Sequence, residues 1–232
     1  MRPCYALYSG GKDSTSVAQY LSENDRLLGV VTFDTGINTP DWFEFVRETS
    51  RQRHWPIEIY KTPANYDTLV LKYGFPGPAM HGMFMNYLKG RCVRLFKRQH
   101  PKAVLASGVR SDESMRRWRN TKEWSDFEGV KVWAPLFQWT TERVWHYFNE
   151  HGFERSPAYQ SLCISGDCLC GAYATKLERA AISAFYPTVD ERLVRLEKQT
   201  RGLWGWGASK QKKNPMGPLC VDCESPDLRT PP

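Results

Sequence analysis

The strongest constraint on this chain lies at its start. An apolar run, "CYALY" (Cys4–Tyr8), passes directly into Ser9-Gly10-Gly11-Lys12-Asp13-Ser14 and then into the amphipathic run "SVAQYL". A buried strand entering a helix through paired glycines is the opening of a βα unit. Gly10 and Gly11 permit positive φ and close approach of the backbone to a ligand. The helix N-terminus directs unpaired N–H groups and a partial positive charge at the same point. Lys12 adds charge, Ser9 and Ser14 add hydroxyls, and Asp13 is a candidate magnesium ligand. A kinase-type loop, G-x-x-x-x-G-K-[ST], is excluded, because its first glycine would fall on Ala6 and Asp13 follows Lys12. The residues by themselves define a cradle for phosphate.

Further βα units follow. "LLGVVTF" (Leu27–Phe33), "IEIY" (Ile57–Tyr60) and "AVLA" (Ala103–Ala106) read as buried strands. A helix is expected from about Asp41, with Pro40 beside its start and Trp42, Phe45 and Val46 inward. "PGPAMHGM" reads as a loop, and the spacing predicts a helix from about Phe84 to Gln99, with Leu88, Cys92, Leu95 and Phe96 on one face and Arg91, Arg94 and Arg98 as a basic stripe. "TTERVWHYFNEHGF" (Thr140–Phe153) reads as a helix capped by Thr140 and stopped by Gly152. "KLERAAISAF" and "DERLVRLEKQ" read as helices too. Strands alternating with helices imply an α/β fold with a mostly parallel sheet covered on both faces. We expect a nucleotide-binding domain over 1–155, a cysteine-rich and helical segment packed on it over 156–200, and a Gly/Pro/Lys-rich tail over 201–232.

No apolar run approaches the ~20 residues that span a bilayer, and "MRPCYALYSGG" turns polar too early for a signal peptide. A cytoplasmic location without membrane contact is therefore expected. The net charge of +7 favours a polyanionic partner, nucleotide or nucleic acid. In a reducing compartment, clustered cysteines point to metal or redox chemistry rather than to a disulfide framework.

The strand–SGGKDS–helix element resembles the PP-loop of the ATP pyrophosphatase superfamily, and other segments resemble its phosphoadenosine-phosphosulfate (PAPS) reductase-like branch, near the tRNA thiolation and DNA phosphorothioation enzymes. These are "FDTGINTPDWFEFVRE" (Phe33–Glu48), "ASGVRSDESMRR" (Ala106–Arg117) and "APLFQWTTERVWHYFNEHGFERSPAYQ" (Ala134–Gln160). The resemblance runs from about residue 4 to 175 and implies an adenine nucleotide alpha hydrolase-like fold. It implies that Ser9, Gly10, Gly11, Lys12, Asp13 and Ser14 grip the pyrophosphate of ATP with Mg2+, with Lys12, Asp13 and Arg110 as the catalytic set. It places Asp34, Thr35 and Gly36 at the adenosine side and brings Arg110, assisted by Arg116 or Arg117, to phosphate.

Three thiols crowd "LCISGDCLCGAY", at Cys163, Cys168 and Cys170. "RCVRLFKRQHP" resembles the branch's cysteine-bearing helix, so the resemblance implies that Cys92, Cys163, Cys168 and Cys170 hold a 4Fe–4S cluster in a metal-binding C-terminal segment. Zinc is the alternative, because sulfur ligation suits either metal. The spacing departs from the branch's usual Cys-x-x-Cys and leaves the fourth ligand open. Cys220-x-x-Cys223 on the tail is a redox pair or an extra set of ligands, and Cys4 reads as core. Trp204 and Trp206 read as a clamp of the tail onto the domain, with base stacking as the alternative.

The expected function is an adenylating enzyme that activates a substrate, tRNA or DNA among the candidates, for sulfur transfer. It would draw on a sulfur donor or reductant protein. The basic residues Arg91, Arg94, Arg98, Arg116, Arg117, Arg119 and Lys210, Lys212 and Lys213 suit such an acceptor. The alternatives are a sulfonucleotide reductase and a non-catalytic nucleic-acid-binding module. The intact loop, and a tail ending "CVDCESPDLRTPP" rather than in the reductases' Glu-Cys-Gly, favour the ATP-consuming enzyme.

Overall fold

In the computed structural model, which describes residues 3–113, 122–200 and 205–207, the expected strands fall at β1 (Cys4–Leu7), β2 (Leu27–Asp34), β3 (Ile57–Lys61) and β4 (Val104–Ala106). Two more, β5 (Trp124–Phe127) and β6 (Val130–Trp133), complete one sheet in the order β3-β2-β1-β4-β6-β5. All neighbours run parallel except β5 and β6. The β5–β6 hairpin is a correction to the sequence reading, which placed no strand there. Its outer strand is mostly exposed, so it lacks the apolar run that marks a buried strand. Glu128 and Gly129, at φ 55° and 74°, make the tight turn that the twist of a hairpin favours.

Helices follow in the order α1 (Lys12–Glu23), α2 (Trp42–Gln52), α3 (Tyr66–Tyr73), α4 (His81–Met85), a π-helical turn (Asn86–Gly90), α5 (Arg91–Gln99), α6 (Thr141–Glu150), α7 (Pro157–Leu162), α8 (Lys176–Phe185) and α9 (Pro187–Gln199). The Thr140 hydroxyl accepts from the Arg143 N–H and caps α6, and Gly152 beyond it has φ 61°. Two helical stretches correct the sequence reading. α3 was not expected, though Asn65 caps it by accepting from the Thr68 N–H. The "PGPAMHGM" loop turns helical at His81, and the π turn then breaks the single expected helix.

Period-two alternation along the strands sorts the core. Val30 and Ala106 face α1, α2 and α6, through Val17, Leu21, Trp42 and Phe148. Val31, Phe33 and Leu105 face α5, through Cys92, Val93 and Phe96. Burying each such side chain contributes about 1.5–3 kcal/mol, which holds helices on both faces of the sheet. A third cluster joins Tyr66 of α3 and Phe84 of α4 to Leu162, Leu169, Ile182 and Leu193. It packs the segment after α6 over the end of the sheet where β1, β2 and β4 finish. Among the described residues, no helix is long and apolar enough to cross a membrane.

Candidate functional site

β1 pairs with β2 on one side and β4 on the other. The loops leaving these strands therefore diverge around a crevice at the carboxyl edge of the sheet, the topological switch point where α/β folds bind ligands. Gly10 has φ 79°, and a Cβ there would lie 3.1 Å from Phe45 and from Val46; the turn needs glycine on both counts. Gly11 is the N-cap of α1 and brings no side-chain acceptor, so the first turn presents its N–H groups and the positive end of the helix dipole to the crevice. The loop is braced from behind. Trp42 Nε1 donates to the Ser9 carbonyl at 2.8 Å, the Ser14 hydroxyl donates to the Gly11 carbonyl at 2.9 Å, and the Ser9 N–H donates to Ser14 Oγ at 3.2 Å.

Lys12 is buried, its ammonium 3.2 Å from Asp13 Oδ2 and 5.4 Å from the centre of the Trp145 ring. Asp13 Oδ1 accepts from Arg110 Nε at 2.7 Å. Arg110 is only 1% exposed; its Nη1 donates to the Trp139 carbonyl at 3.0 Å and its Nη2 to Thr141 Oγ1 at 3.2 Å. The resemblance implied that Arg110 meets phosphate. As placed, each of its three nitrogens has a protein acceptor. Each oxygen of Asp13 thus has one cationic partner, Lys12 at Oδ2 and Arg110 at Oδ1.

At the end of β2, Asp34 Oδ1 accepts from the Gly36 N–H at 2.8 Å, and Gly36 adopts φ 72°. Thr35 Oγ1 and Asn38 Nδ2 both donate to the Asp167 carbonyl, at 3.2 and 2.6 Å. The Thr39 N–H donates to the Gly166 carbonyl and the Leu169 N–H to the Ile37 carbonyl. These bonds lay the cysteine-bearing segment along residues 35–39. They also bring Ser165 over the phosphate loop, where a Cβ on Gly11 would lie 3.3 Å from its Cβ.

A cavity of about 1630 Å³ runs from Ser9, Gly11, Lys12 and Ser14 to Cys163, Cys168 and Cys170. Lys89 enters it from the π-helical turn, a feature often found at functional sites, and pairs with Asp167 at 2.6 Å. Asp167 also accepts from Ser165 Oγ at 2.6 Å. Cys168 and Cys170 influence each other directly. Hydrogen bonding with Cys168 brings Cys170 down to about 7, helped by the Ala172 N–H and the Lys89 charge, while the same contact and burial hold Cys168 well above the usual thiol range.

Cys92 lies apart from these thiols. It is fully buried between β3 and α5, its thiol donates to the Tyr60 carbonyl at 3.2 Å and the Leu88 carbonyl at 3.3 Å, and burial pushes it up to about 12. Among the described residues, no three or more His, Cys, Asp or Glu side chains gather as a metal site. As placed, the expected set of Cys92, Cys163, Cys168 and Cys170 is therefore not gathered around one point. Cys163 ends α7 at φ 55°, and Cys4 is core, as expected.

Arg116, Arg117, Arg119, Trp204, Lys210, Lys212, Lys213, Cys220 and Cys223 lie outside the described residues. Trp206 forms the expected clamp: it is buried against the cysteine segment, its Nε1 donating to the Leu169 carbonyl at 2.8 Å. In the basic stripe, Arg94 is paired with Glu128 at 2.5 Å and Arg91 lies over the Tyr87 ring. Sequence reasoning missed Lys89, Ser165 and Asp167. Their signal was position alone: Asp167 immediately precedes Cys168, and Lys89 stands one helical turn before Cys92.

The family model described as phosphoadenosine phosphosulfate reductase domain matches residues 3–172. An uncharacterized 37.8 kDa protein of Escherichia phage 186 is 30% identical over 149 residues, which are 62% of this chain and 40% of that protein. The chain thus spans well under two thirds of this relative's length. Among solved structures, phosphoadenylyl-sulfate (PAPS) reductase from Candida auris in its phosphate complex is 15% identical, with 67% of this chain and 75% of that one covered and a TM-score of 0.50. The U34-tRNA thiolase NcsA from Methanococcus maripaludis, solved with its [4Fe-4S] cluster, is 15% identical, with 87% and 68% covered and a TM-score of 0.52. At these identities the two structures speak for the fold.

Proposed function

Because the chain belongs to the phosphoadenosine phosphosulfate reductase domain family of the PP-loop superfamily, we propose that it is an ATP-consuming enzyme that adenylates a substrate oxygen and so prepares that position for sulfur. The observation that carries this reading is the intact Ser9–Ser14 loop at the N-terminus of α1. Ser9, Gly11, Lys12 and Ser14 line one crevice at that helix N-terminus, a setting suited to the β- and γ-phosphates, which PAPS lacks.

In the proposed reaction the substrate oxygen attacks the α-phosphorus of ATP. The new O–P bond forms as the bond to the bridging oxygen breaks, and pyrophosphate departs with the electron pair. Lys12 and the first-turn N–H groups stabilise the charge that develops on it. Magnesium, when bound, would neutralise further phosphate charge. Arg110 acts through Asp13, holding the loop in register from beneath. Asp34, Thr35 and Gly36 take the adenosine side. The thiols of Cys168 and Cys170 share the cavity, and we assign them to carrying the sulfur: one takes the outer sulfur of a persulfide donor, which leaves as its thiol. The terminal sulfur of the cysteine persulfide then displaces AMP, forming the carbon–sulfur bond as the carbon–oxygen bond breaks. The other thiol attacks the carrier cysteine's own sulfur, releasing the thiolated product and leaving a Cys168–Cys170 disulfide that a dithiol reductant protein restores. The net charge of +7 supports a nucleic-acid acceptor. In this reading residues 1–155 bind the nucleotide and 156–200 bring the thiols to it.

Calorimetry on the full chain tests this. ATP should bind, and Lys12→Ala should weaken it at least tenfold, about 1.4 kcal/mol or more. Tight PAPS binding with no ATP binding would overturn the proposal in favour of a sulfonucleotide reductase.

A further inference from the structure

The family match ends at residue 172, yet the chain continues into α8 and α9, and α9 returns to the end of β2. Arg192 of α9 donates from Nη1 to the Gly36 carbonyl at 2.7 Å and from Nε to Asp67 Oδ1 at 2.8 Å. Asp67 stands in the first turn of α3, where the helix dipole favours a carboxylate. Its other oxygen accepts from Arg195 Nη2 at 3.2 Å. One carboxylate therefore orients two guanidinium groups, and only Arg192 also reaches the turn.

Gly36 has an open side: a Cβ built there would meet nothing within 4 Å. Asp34 and Thr35 are buried, so Gly36 is the exposed residue of the turn, and its position depends on polar tethers. Within the family-matched region the turn's tethers include Asp34 Oδ1 on the Gly36 N–H, the Asp167 carbonyl on Thr35 Oγ1 and the Thr62 N–H on the Asp34 carbonyl. The Gly36 carbonyl is held from outside that region. We propose that Arg192, oriented by Asp67, is a positioning residue for the adenosine-side turn, so that the helices beyond the family-matched region set the affinity for the nucleoside half of the ligand. This rests on the reading of the turn given under the proposed function. A guanidinium is suited to the task because its planar fork spans two acceptors at once; lysine at 192 would reach one or the other.

The test compares full-length wild type with Arg192→Ala, Arg192→Lys and Arg195→Ala. AMP probes the nucleoside side and inorganic pyrophosphate the loop. Arg192→Ala should weaken AMP about tenfold, the size expected for one charge-assisted hydrogen bond, and leave pyrophosphate within about twofold. Arg192→Lys should resemble it, and Arg195→Ala should match wild type, since Arg195 touches Asp67 without reaching Gly36. Amide exchange at residues 35–37 should quicken in the two Arg192 variants only. Unchanged AMP affinity and exchange in Arg192→Ala, or a parallel loss of AMP and pyrophosphate, would overturn the tether. If the wild type binds pyrophosphate but no AMP while exchange still quickens, the tether exists but its premise fails, and the proposal falls with the adenosine reading.

Discussion

Replacing Arg110 by alanine separates two accounts of the same residue. If Arg110 contacts phosphate, its loss weakens nucleotide binding and leaves the fold intact. If it braces the loop from beneath, its loss destabilises the protein. The structure permits an estimate. Arg110 is 1% exposed and its partner Asp13 is 21% exposed. Removing one member of a buried pair costs about 3–5 kcal/mol, because the other charge is left without its partner. Asp13 retains Lys12 and some solvent contact, so the lower end applies, about 3 kcal/mol. For a chain of this size each kcal/mol shifts the melting temperature by roughly 2–4 °C, giving a fall of about 6–12 °C. Arg110→Lys keeps the charge near Asp13 but cannot also reach the Trp139 carbonyl and Thr141, so it should recover about half of the loss. Urea denaturation and thermal melts read the effect directly. An Arg110→Ala protein that melts within about 2 °C of wild type, yet no longer binds nucleotide, would refute the brace and restore the phosphate contact.

Gly108 is a second structural pivot: a Cβ there would lie 2.9 Å from the backbone carbon of Asp13. Gly108→Ala should force β4's loop away from α1, cost about 1–3 kcal/mol of stability and weaken pyrophosphate binding; a variant normal in both, by melting and calorimetry, would show that the contact relaxes freely. Thiol reactivity should depend on pH in a residue-specific way, since the thiolate is the nucleophile and exists above the pKa. Cys170, lowered to about 7, should alkylate with iodoacetamide at a rate that climbs through neutral pH, while Cys92, pushed up to about 12, stays inert. Peptide mass spectrometry after timed alkylation reads both, and equal rates would contradict the assignment. Phe96→Ala, which empties a fully buried site between α5 and the sheet, should cost about 3–5 kcal/mol in urea denaturation; a loss below about 1 kcal/mol would mean that the core there collapses to fill the gap.

The sequence by itself determined the parallel βα core, the glycine turn where its first strand enters α1, and the cap of α6, and it offered the burial of Trp206 as one of two readings. Each follows from local chemistry: apolar runs that must be buried, glycines at a turn needing positive φ, a threonine placed to accept from an N–H, and an indole to cover. The hairpin at β5 and β6 escaped because its exposed outer strand has no apolar run to read, and α3 because its capping signal is short. Only the tertiary structure decided what the charged and thiol side chains do. Arg110 meets Asp13 across 97 residues, Lys89 meets Asp167 across 78, and Arg192 meets Gly36 across 156. Cys92 looks like a partner for the other thiols in the one-dimensional pattern, but α5 turns it into the core, where its thiol lies within hydrogen-bond reach of two carbonyls. A side chain's chemical type is written in the sequence, whereas its partner depends on which distant backbone the fold brings within hydrogen-bond reach, and burial then raises the cost of any other pairing.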